Sequence, residues 1–417
     1  MNIKYFIFFI VLLFTLLALR FYTYYLFLPR LSDSQMIVVN SRIVTEPEIK
    51  DRLQRFKIKP KGLDIYVTTG NYPIYSYAEF LNLKGKVKVT ENDDRKFYTL
   101  PFPEIKTIDS KFDLLTSFSL GIRTKAIKIF GYYLSDIQSA LLLGIVFGIK
   151  QNMPDDFMII LRDAGVVHVI AASGMNVSMV AGSFIYIFQR FFKRRTALIL
   201  SLLILLLYVS IAGFEASIVR AAIMAGISFT AGITGRQKYS VYALFLTAVS
   251  MLYINPSWIF DVGFKLSFMA TLGIITLKPV FDQWMKVLNG SIKDDFNTTL
   301  AAQLATVPIL LSSFGSINLL SILINLLILW TIPALMVIGG LSIISGLIFA
   351  QLGSFISVFT IPLLIYFEVV VRYFDRFKIP LVMEESSWIL WVGYYLLLAV
   401  FLFFIKKKGE LQAKKVK

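Results

Sequence analysis

About ten apolar runs punctuate the chain, each close to the ~20 residues that a helix needs to cross a hydrocarbon core. They fall near 3–28, 165–189, 196–212, 216–234, 239–254, 257–277, 297–315, 317–350, 353–371 and 388–405. The pattern predicts a polytopic α-helical membrane protein with about ten transmembrane helices. Two stretches do not fit a simple count. Gln138 to Ile149 is apolar but too short to span, and 317–350, interrupted by Asn325 and Pro333, is too long for one helix. Both read as re-entrant segments or paired half-helices, which a membrane tolerates only where protein or water satisfies the backbone.

Between the first two long runs the pattern changes in kind. Residues 1–30 form an uncleaved membrane anchor ending in an aromatic belt, Phe21, Tyr22, Tyr24 and Tyr25. In residues 31–110, short β-prone runs (Met36 to Val39, Leu63 to Thr69, Lys86 to Thr90) alternate with turn signals such as Pro60, Gly62, Gly70-Asn71 and Asn92-Asp93. A small β-barrel or sandwich outside the membrane is expected there. Residues 111–134 place Phe112, Leu115, Phe118, Ile122 and Ile129 at near-helical spacing with Arg123, Lys125 and Lys128 opposite, the pattern of an amphipathic surface helix. Residues 135–405 hold the remaining helices, and 406–417 form a basic tail.

Charge orients these elements. Arg190, Lys193, Arg194 and Arg195 mark one cytoplasmic loop, Arg236 and Lys238 another, and the tail lysines place the C-terminus inside. With an even span count the N-terminus is also cytoplasmic, which puts the β domain outside the cell. The 417 residues are 57% hydrophobic and only 16% charged, and a net charge of +16 favours membrane lipid, nucleic acid or another anionic cargo. Zero Cys and a single His, His168, exclude disulfides and thiolate clusters and argue against a multi-imidazole zinc or two-metal hydrolase. Neither a phosphate-binding G-x-x-x-x-G-K-[ST] loop nor G-x-G-x-x-G is present. The expectation is therefore no catalytic residue, no metal and no cofactor, with any directed transport driven from elsewhere.

Ionisable groups inside apolar runs are costly and mark function by default. Three clusters carry them. In Arg162 to Val177, His168, Ala172 and Asn176 share a face if the run is one helix, while Ser173 and Gly174 allow close approach. A hydrogen-bonded His in close helix packing fits equally well, and a catalytic Ser173–His168 pair is not expected, because the two would point apart. In Ala212 to Met224, Arg220 sits about a turn inside a run and needs a partner: Glu215, Asp261, a helix end or the phosphates of a passing polyanion. In Asn255 to Phe268, Asp261 and Lys265 are four apart and can pair along one face.

Four runs together resemble the competence region of ComEC proteins: Leu141 to Gly182, Ala212 to Met224 followed by Gly235-Arg236, Asn255 to Gly273, and Gln303 to Asn325. The stretch from Ser41-Arg42-Ile43-Val44-Thr45-Glu46-Pro47 onward is similar, more weakly, to the family's OB-type domain. The resemblance implies an inner-membrane channel for single-stranded DNA in natural transformation. It implies a pathway past His168, Ser173, Asn176, Arg220, Asp261 and Lys265, and stacking contacts in the outer domain from Tyr66, Tyr72, Tyr75 and Tyr77, although such tyrosines also commonly serve as core. A separate DNA receptor, a cytoplasmic translocase or helicase, a nuclease in trans and a homo-oligomer go with it. Two departures stand out. No metallo-β-lactamase-like H-x-H-x-D-H motif can be drawn from one His, so nuclease activity is not expected, and Asn176 stands where many relatives have His. The competing readings are a membrane scaffold or accessory subunit, and a transporter of a small anion or lipid-linked polymer.

Overall fold

The computed structural model describes residues 3–29, 31–45, 47–50, 52–92, 95–108, 114–150, 153–171, 173–234, 240–284, 290–377, 380–382 and 388–415. The chain divides into two compact units, Met1–Thr124 with Ile149–Asp155, and Lys125–Gly148 with Asp156–Lys417.

In the first unit, α1 (Ile3–Leu26) is followed by eight strands: β1 (Met36–Arg42), β2 (Glu48–Lys50), β3 (Leu53–Ile58), β4 (Ile65–Gly70), β5 (Phe80–Lys86), β6 (Lys88–Asn92), β7 (Arg95–Pro101) and β8 (Glu104–Thr107). They form two sheets, ordered β1-β5-β8 and β2-β3-β4-β7-β6, in which only β4 and β7 run parallel among the described pairings. Alternation along the strands sends Ile37, Phe56, Ile58, Ile65, Val67, Leu81, Leu83 and Leu100 into one shared core. The expected strands at 36–39, 63–69 and 86–90 are present; the first begins as expected and runs three residues further, and the other two are shifted by one or two residues at their ends. The end of α1 is tied to this domain, because Tyr24 donates its hydroxyl to the Gly62 carbonyl at 2.8 Å. Asp33 accepts from the Val89 amide at 2.8 Å, and that bond holds its carboxyl below the usual carboxylate range.

Helix α2 (Leu114–Phe130) matches the amphipathic expectation in part, with 111–113 outside the described residues. Ile122, Ala126, Ile129 and Phe130 are buried and Lys125 and Lys128 exposed. Phe118 is exposed, as a lipid-facing residue is, and one position is reversed: Arg123 is buried with its guanidinium 4.7 Å from the ring centre of Tyr77. Stacking on an aromatic face gives Arg123 a reason to turn inward that spacing alone does not reveal.

The second unit is almost wholly helical. It contains α3 (Asp136–Phe147), α4 (Asp155–Asp163), α5 (Val167–Ile170), α6 (Gly174–Gln189), α7 (Arg194–Ala212), α8 (Ala216–Thr234), α9 (Ser240–Ile254), α10 (Val262–Trp284) and α11 (Ser291–Phe314). A two-stranded pair, β9 (Ser316–Asn318) with β10 (Pro380–Val382), joins α12 (Ser321–Ile328), α13 (Thr331–Ile348), α14 (Ala350–Val358), α15 (Ile361–Asp375) and α16 (Trp388–Lys415). Among the described residues four helices are long and apolar enough to span a membrane: α7, α8, Val262–Gln283 within α10, and α13. The α14–α15 pair, bent by 48°, makes a fifth if it is one span. Other apolar helices, such as Asp136–Phe147 and Ser240–Ile254, are shorter. The over-long 317–350 run resolves into β9, α12 and α13; the two helices part at Leu329–Trp330, with Asn325 inside α12 and Pro333 inside α13.

Short α3 is enclosed rather than spanning. Nine of its residues, Ser139 through Phe147, are buried. It starts on a capping box at Ser135 and Gln138 and stops at Gly148, whose φ of +75° is a left-handed cap that a side chain would strain. Gly144 lets the helix lie against Ile170 of α5, since a Cβ there would come within 3.1 Å of the Ile170 carbonyl.

Candidate functional site

A helix that ends inside a membrane-buried bundle leaves four carbonyls without intrahelical partners, and each must find a donor. At the end of α3 the Gly148 amide serves Leu143 and Gly144. The side-chain amide of Asn176 donates to the Ile145 carbonyl at 2.8 Å, and the hydroxyl of Tyr208 on α7 donates to the Val146 carbonyl at 2.9 Å. Asn176 is 1% exposed and its Oδ1 accepts from the Ser173 hydroxyl at 3.0 Å. Asn176 is thus held to the end of α3, and Tyr208, which sequence patterning passed over inside an apolar run, shares that task.

The region expected to be one helix over 165–189 is broken. Helix α5 ends at Ile170, Ala171 is extended with ψ of 138°, and α6 begins at Gly174. His168 and Asn176 consequently do not share a helical face, and Ala172, the residue meant to lie between them, is outside the described residues. The break carries no proline. It follows from what surrounds it: α5 is pinned by Gly144, and the start of α6 is drawn to α3 by Asn176. His168 lies on α5, and the hydrogen bonds of Asn176 go to Ile145 and Ser173, not to it.

Arg220 sits on α8 and is 8% exposed. Its Nε donates to the Ser267 hydroxyl of α10 at 2.7 Å, Nη1 approaches the Met224 sulfur at 3.3 Å, and the guanidinium lies 6.0 Å from the ring centre of Phe268. Nη2 is pressed against the first residue of α6, where a Cβ on Gly174 would stand 2.5 Å from it. Among the described residues no carboxylate pairs with this guanidinium. Neither acid proposed from the sequence meets it: Glu215 is exposed, and Asp261 turns its Oδ1 to the Phe264 amide at 2.7 Å to cap α10. The expected Asp261–Lys265 ion pair is replaced by that cap, leaving Lys265 half-buried on α10. Backbone amides at a helix start are obligatory donors, and a carboxylate one residue before the helix reaches them better than it reaches a side chain four residues on. Ser173, Asn176 and Arg220 are therefore drawn together around the start of α6, while His168, Asp261 and Lys265 make no polar contact with them.

A second polar group is new. Gln303 on α11 donates to the hydroxyl of Ser321 at the start of α12, and Asn325, one turn on from Ser321, is 5% exposed. Asn318 donates to the Asp163 carbonyl at 2.9 Å and accepts from the Leu320 amide at 3.0 Å. Gly165, with φ of +73°, packs on Ser321, so that a Cβ would come within 2.8 Å of the Ser321 Cβ. Gln303 and Ser321 are uncharged, which is why a search for intramembrane charge did not find them, and Asn325 was marked only as an interruption of the 317–350 run.

The four outer tyrosines separate. Tyr66, with Lys57 Nζ 5.7 Å from its ring centre, and Tyr72 are exposed. Tyr77 is half-buried under Arg123. Tyr75 is 4% exposed and packs on Phe56 in the core, so its ring is not available to stack a base. Gln54 explains the difference. Fully buried, it donates to the carbonyls of Gly70, Asn71 and Pro73 and accepts from the Tyr75 amide at 3.0 Å, which folds the 70–75 turn inward. The groove beside β1, about 400 Å³, is lined by Pro29, Leu31, Ile37, Val38, Val39, Asn40, Pro60, Leu63 and Ile65, an apolar surface without a cation.

Comparison with known proteins agrees with this helical unit. A family model described as "Competence protein" matches residues 145–408. The chain is 30% identical over 209 residues to ComE operon protein 3 of Bacillus subtilis (strain 168), covering 50% of the chain and 26% of that relative. It is 24% identical over 330 residues to an uncharacterized protein of Aquifex aeolicus (strain VF5), covering 72% of the chain and 74% of that protein. The match thus spans about a quarter of the first relative's length. No solved structure matches.

Proposed function

The chain belongs to the competence protein family, of the ComEC type, and on that premise we propose that it forms the membrane conduit for single-stranded DNA in natural transformation. The observation that carries this reading is Arg220, a nine-tenths buried guanidinium with no carboxylate partner among the described residues, set between the start of α6 and Ser267. A buried cation without a counter-charge is costly in a membrane. A polyanion in transit supplies that charge without any base being read. In this reading the chain sits in the bacterial cell membrane as about ten spans, several of them broken, with both termini inside.

The β domain lies outside as an OB-type module. Its two sheets around one core and the open groove beside β1 suit a partly open barrel, and exposed Tyr66 and Tyr72 are its stacking surfaces. Because the groove beside β1 is apolar, the strand is received on that exposed aromatic surface and not in the groove. The chain contributes passage and no catalysis. A receptor, an ATP-driven translocase and a nuclease are separate polypeptides. The test is entry of labelled DNA into a nuclease-resistant compartment, comparing a deletion strain with one restored by this chain. Restored entry supports the conduit. DNA that stays on the surface while the chain is present in the membrane overturns it.

A further inference from the structure

We propose that the start of α6 and Arg220 together form a discrete binding site for a phosphate-type anion, which the conduit reading identifies as one phosphodiester group of the passing strand. Helix α6 is 16 residues long, and its first amides point out of the helix start without intrahelical partners. Ser173 occupies the cap position yet provides no side-chain cap, because its hydroxyl donates sideways to Asn176. The helix start therefore carries its partial positive charge uncapped. Facing it is a full positive charge, the Nη2 end of Arg220, pressed on Gly174. Two positive ends held together with no carboxylate between them are mutually repulsive unless an anion lies across both.

The chemistry of the donors selects the anion. Backbone amides at a helix start and a guanidinium fork both suit the oxygens of a phosphate. The Ser267 bond orients the guanidinium through Nε and leaves the Nη2 edge for the ligand. Access is present as well: Met175, the second residue of α6, is 40% exposed, and Ser173 and Gly174 are partly exposed. Gly174 is the positioning residue. A methyl group there would stand 2.5 Å from Nη2 and 3.5 Å from the Ala221 Cβ, so the guanidinium would have to shift from its present position on the helix start.

The test uses the full chain in phosphatidylcholine nanodiscs with three probes: a labelled single-stranded oligothymidylate, its uncharged methylphosphonate analogue, and inorganic phosphate. The parent is expected to bind the charged oligonucleotide at least about tenfold more tightly than the analogue. G174A and R220Q are each expected to remove about tenfold of that affinity, the size of one charge-assisted bond. R220K, which keeps the charge but not the fork, should fall between. Thermal unfolding shows whether each variant is folded, and R220Q decides the matter if G174A is not. Equal binding of both oligonucleotides by the parent, with G174A unchanged, overturns the site while leaving the conduit standing. Gly174-dependent binding of inorganic phosphate without oligonucleotide binding upholds the site and counts against the conduit. Absence of binding by any probe to folded parent overturns the site.

Discussion

The hydroxyl of Tyr394 on α16 donates to the carbonyl of Leu304 on α11 at 2.7 Å, and Pro308 is the reason that carbonyl is free. A proline lacks the amide that would otherwise serve the residue four before it. Tyr395 makes the neighbouring bond to Ala305 at 3.1 Å, so two adjacent tyrosines fasten α16 to the segment of α11 that precedes Pro308. Leu398 and Leu402 of α16 pack on the cluster of Leu277, Phe281, Ala301 and Ala305 beside them.

Tyr394→Phe is expected to cost about 1–3 kcal/mol, since it strands a carbonyl that the membrane does not solvate. In a Pro308→Ala background the helix amide returns and the cost should shrink towards zero. A double-mutant cycle on unfolding in detergent measures the coupling, and additive losses would exclude the linkage.

Asn176→Leu removes the donor to Ile145 and the acceptor of Ser173 at a 1% exposed position. It should destabilise by about 1–3 kcal/mol and lower the amount of chain in the membrane. Quantitative blotting of membranes beside an unfolding curve checks this. A stable, normally abundant variant would show that the end of α3 does not need this cap.

Gly165→Ala meets two penalties: a φ of +73° and a Cβ within 2.8 Å of the Ser321 Cβ. Together they predict a loss of about 1–3 kcal/mol. Adding Ser321→Gly should recover the steric part and leave the backbone part, which unfolding of the single and double variants separates.

Asp33 gives a pH dependence with a definite sign. Its folded carboxyl titrates below the ordinary range because of the Val89 amide. The stabilisation is therefore complete above the unfolded carboxyl's ordinary value and is lost as pH falls through the depressed folded value. Hydrogen exchange at the Val89 amide should show protection that Asp33→Asn weakens by removing the charge from the acceptor, with the difference closing in acid. A difference that persists unchanged in acid would assign the protection to another group.

Arg220→Gln should sharply reduce DNA entry while leaving chain levels near those of the parent, because the site it occupies is not part of the α3 cap. Equal entry by variant and parent would remove Arg220 from the pathway.

The family came from the resemblance of four motif runs; what composition and pattern determined by themselves was a membrane chain dominated by helices, a β-prone stretch before them, and Arg220 as a residue needing explanation. These rest on local terms, namely run length, period and the cost of charge in an apolar segment, which any reader of the chain can sum. The tertiary structure alone decided where helices stop and who satisfies whom. The break between α5 and α6 has no proline to announce it and exists because Gly144 admits α5 and Asn176 holds α6 to α3. Likewise Asp261 turned to the Phe264 amide, Tyr75 entered the core under Gln54, and Arg123 stacked on Tyr77. Each outcome depends on a partner that folding brings near, and the cost of leaving a buried polar group unsatisfied outweighs the local preference that spacing records.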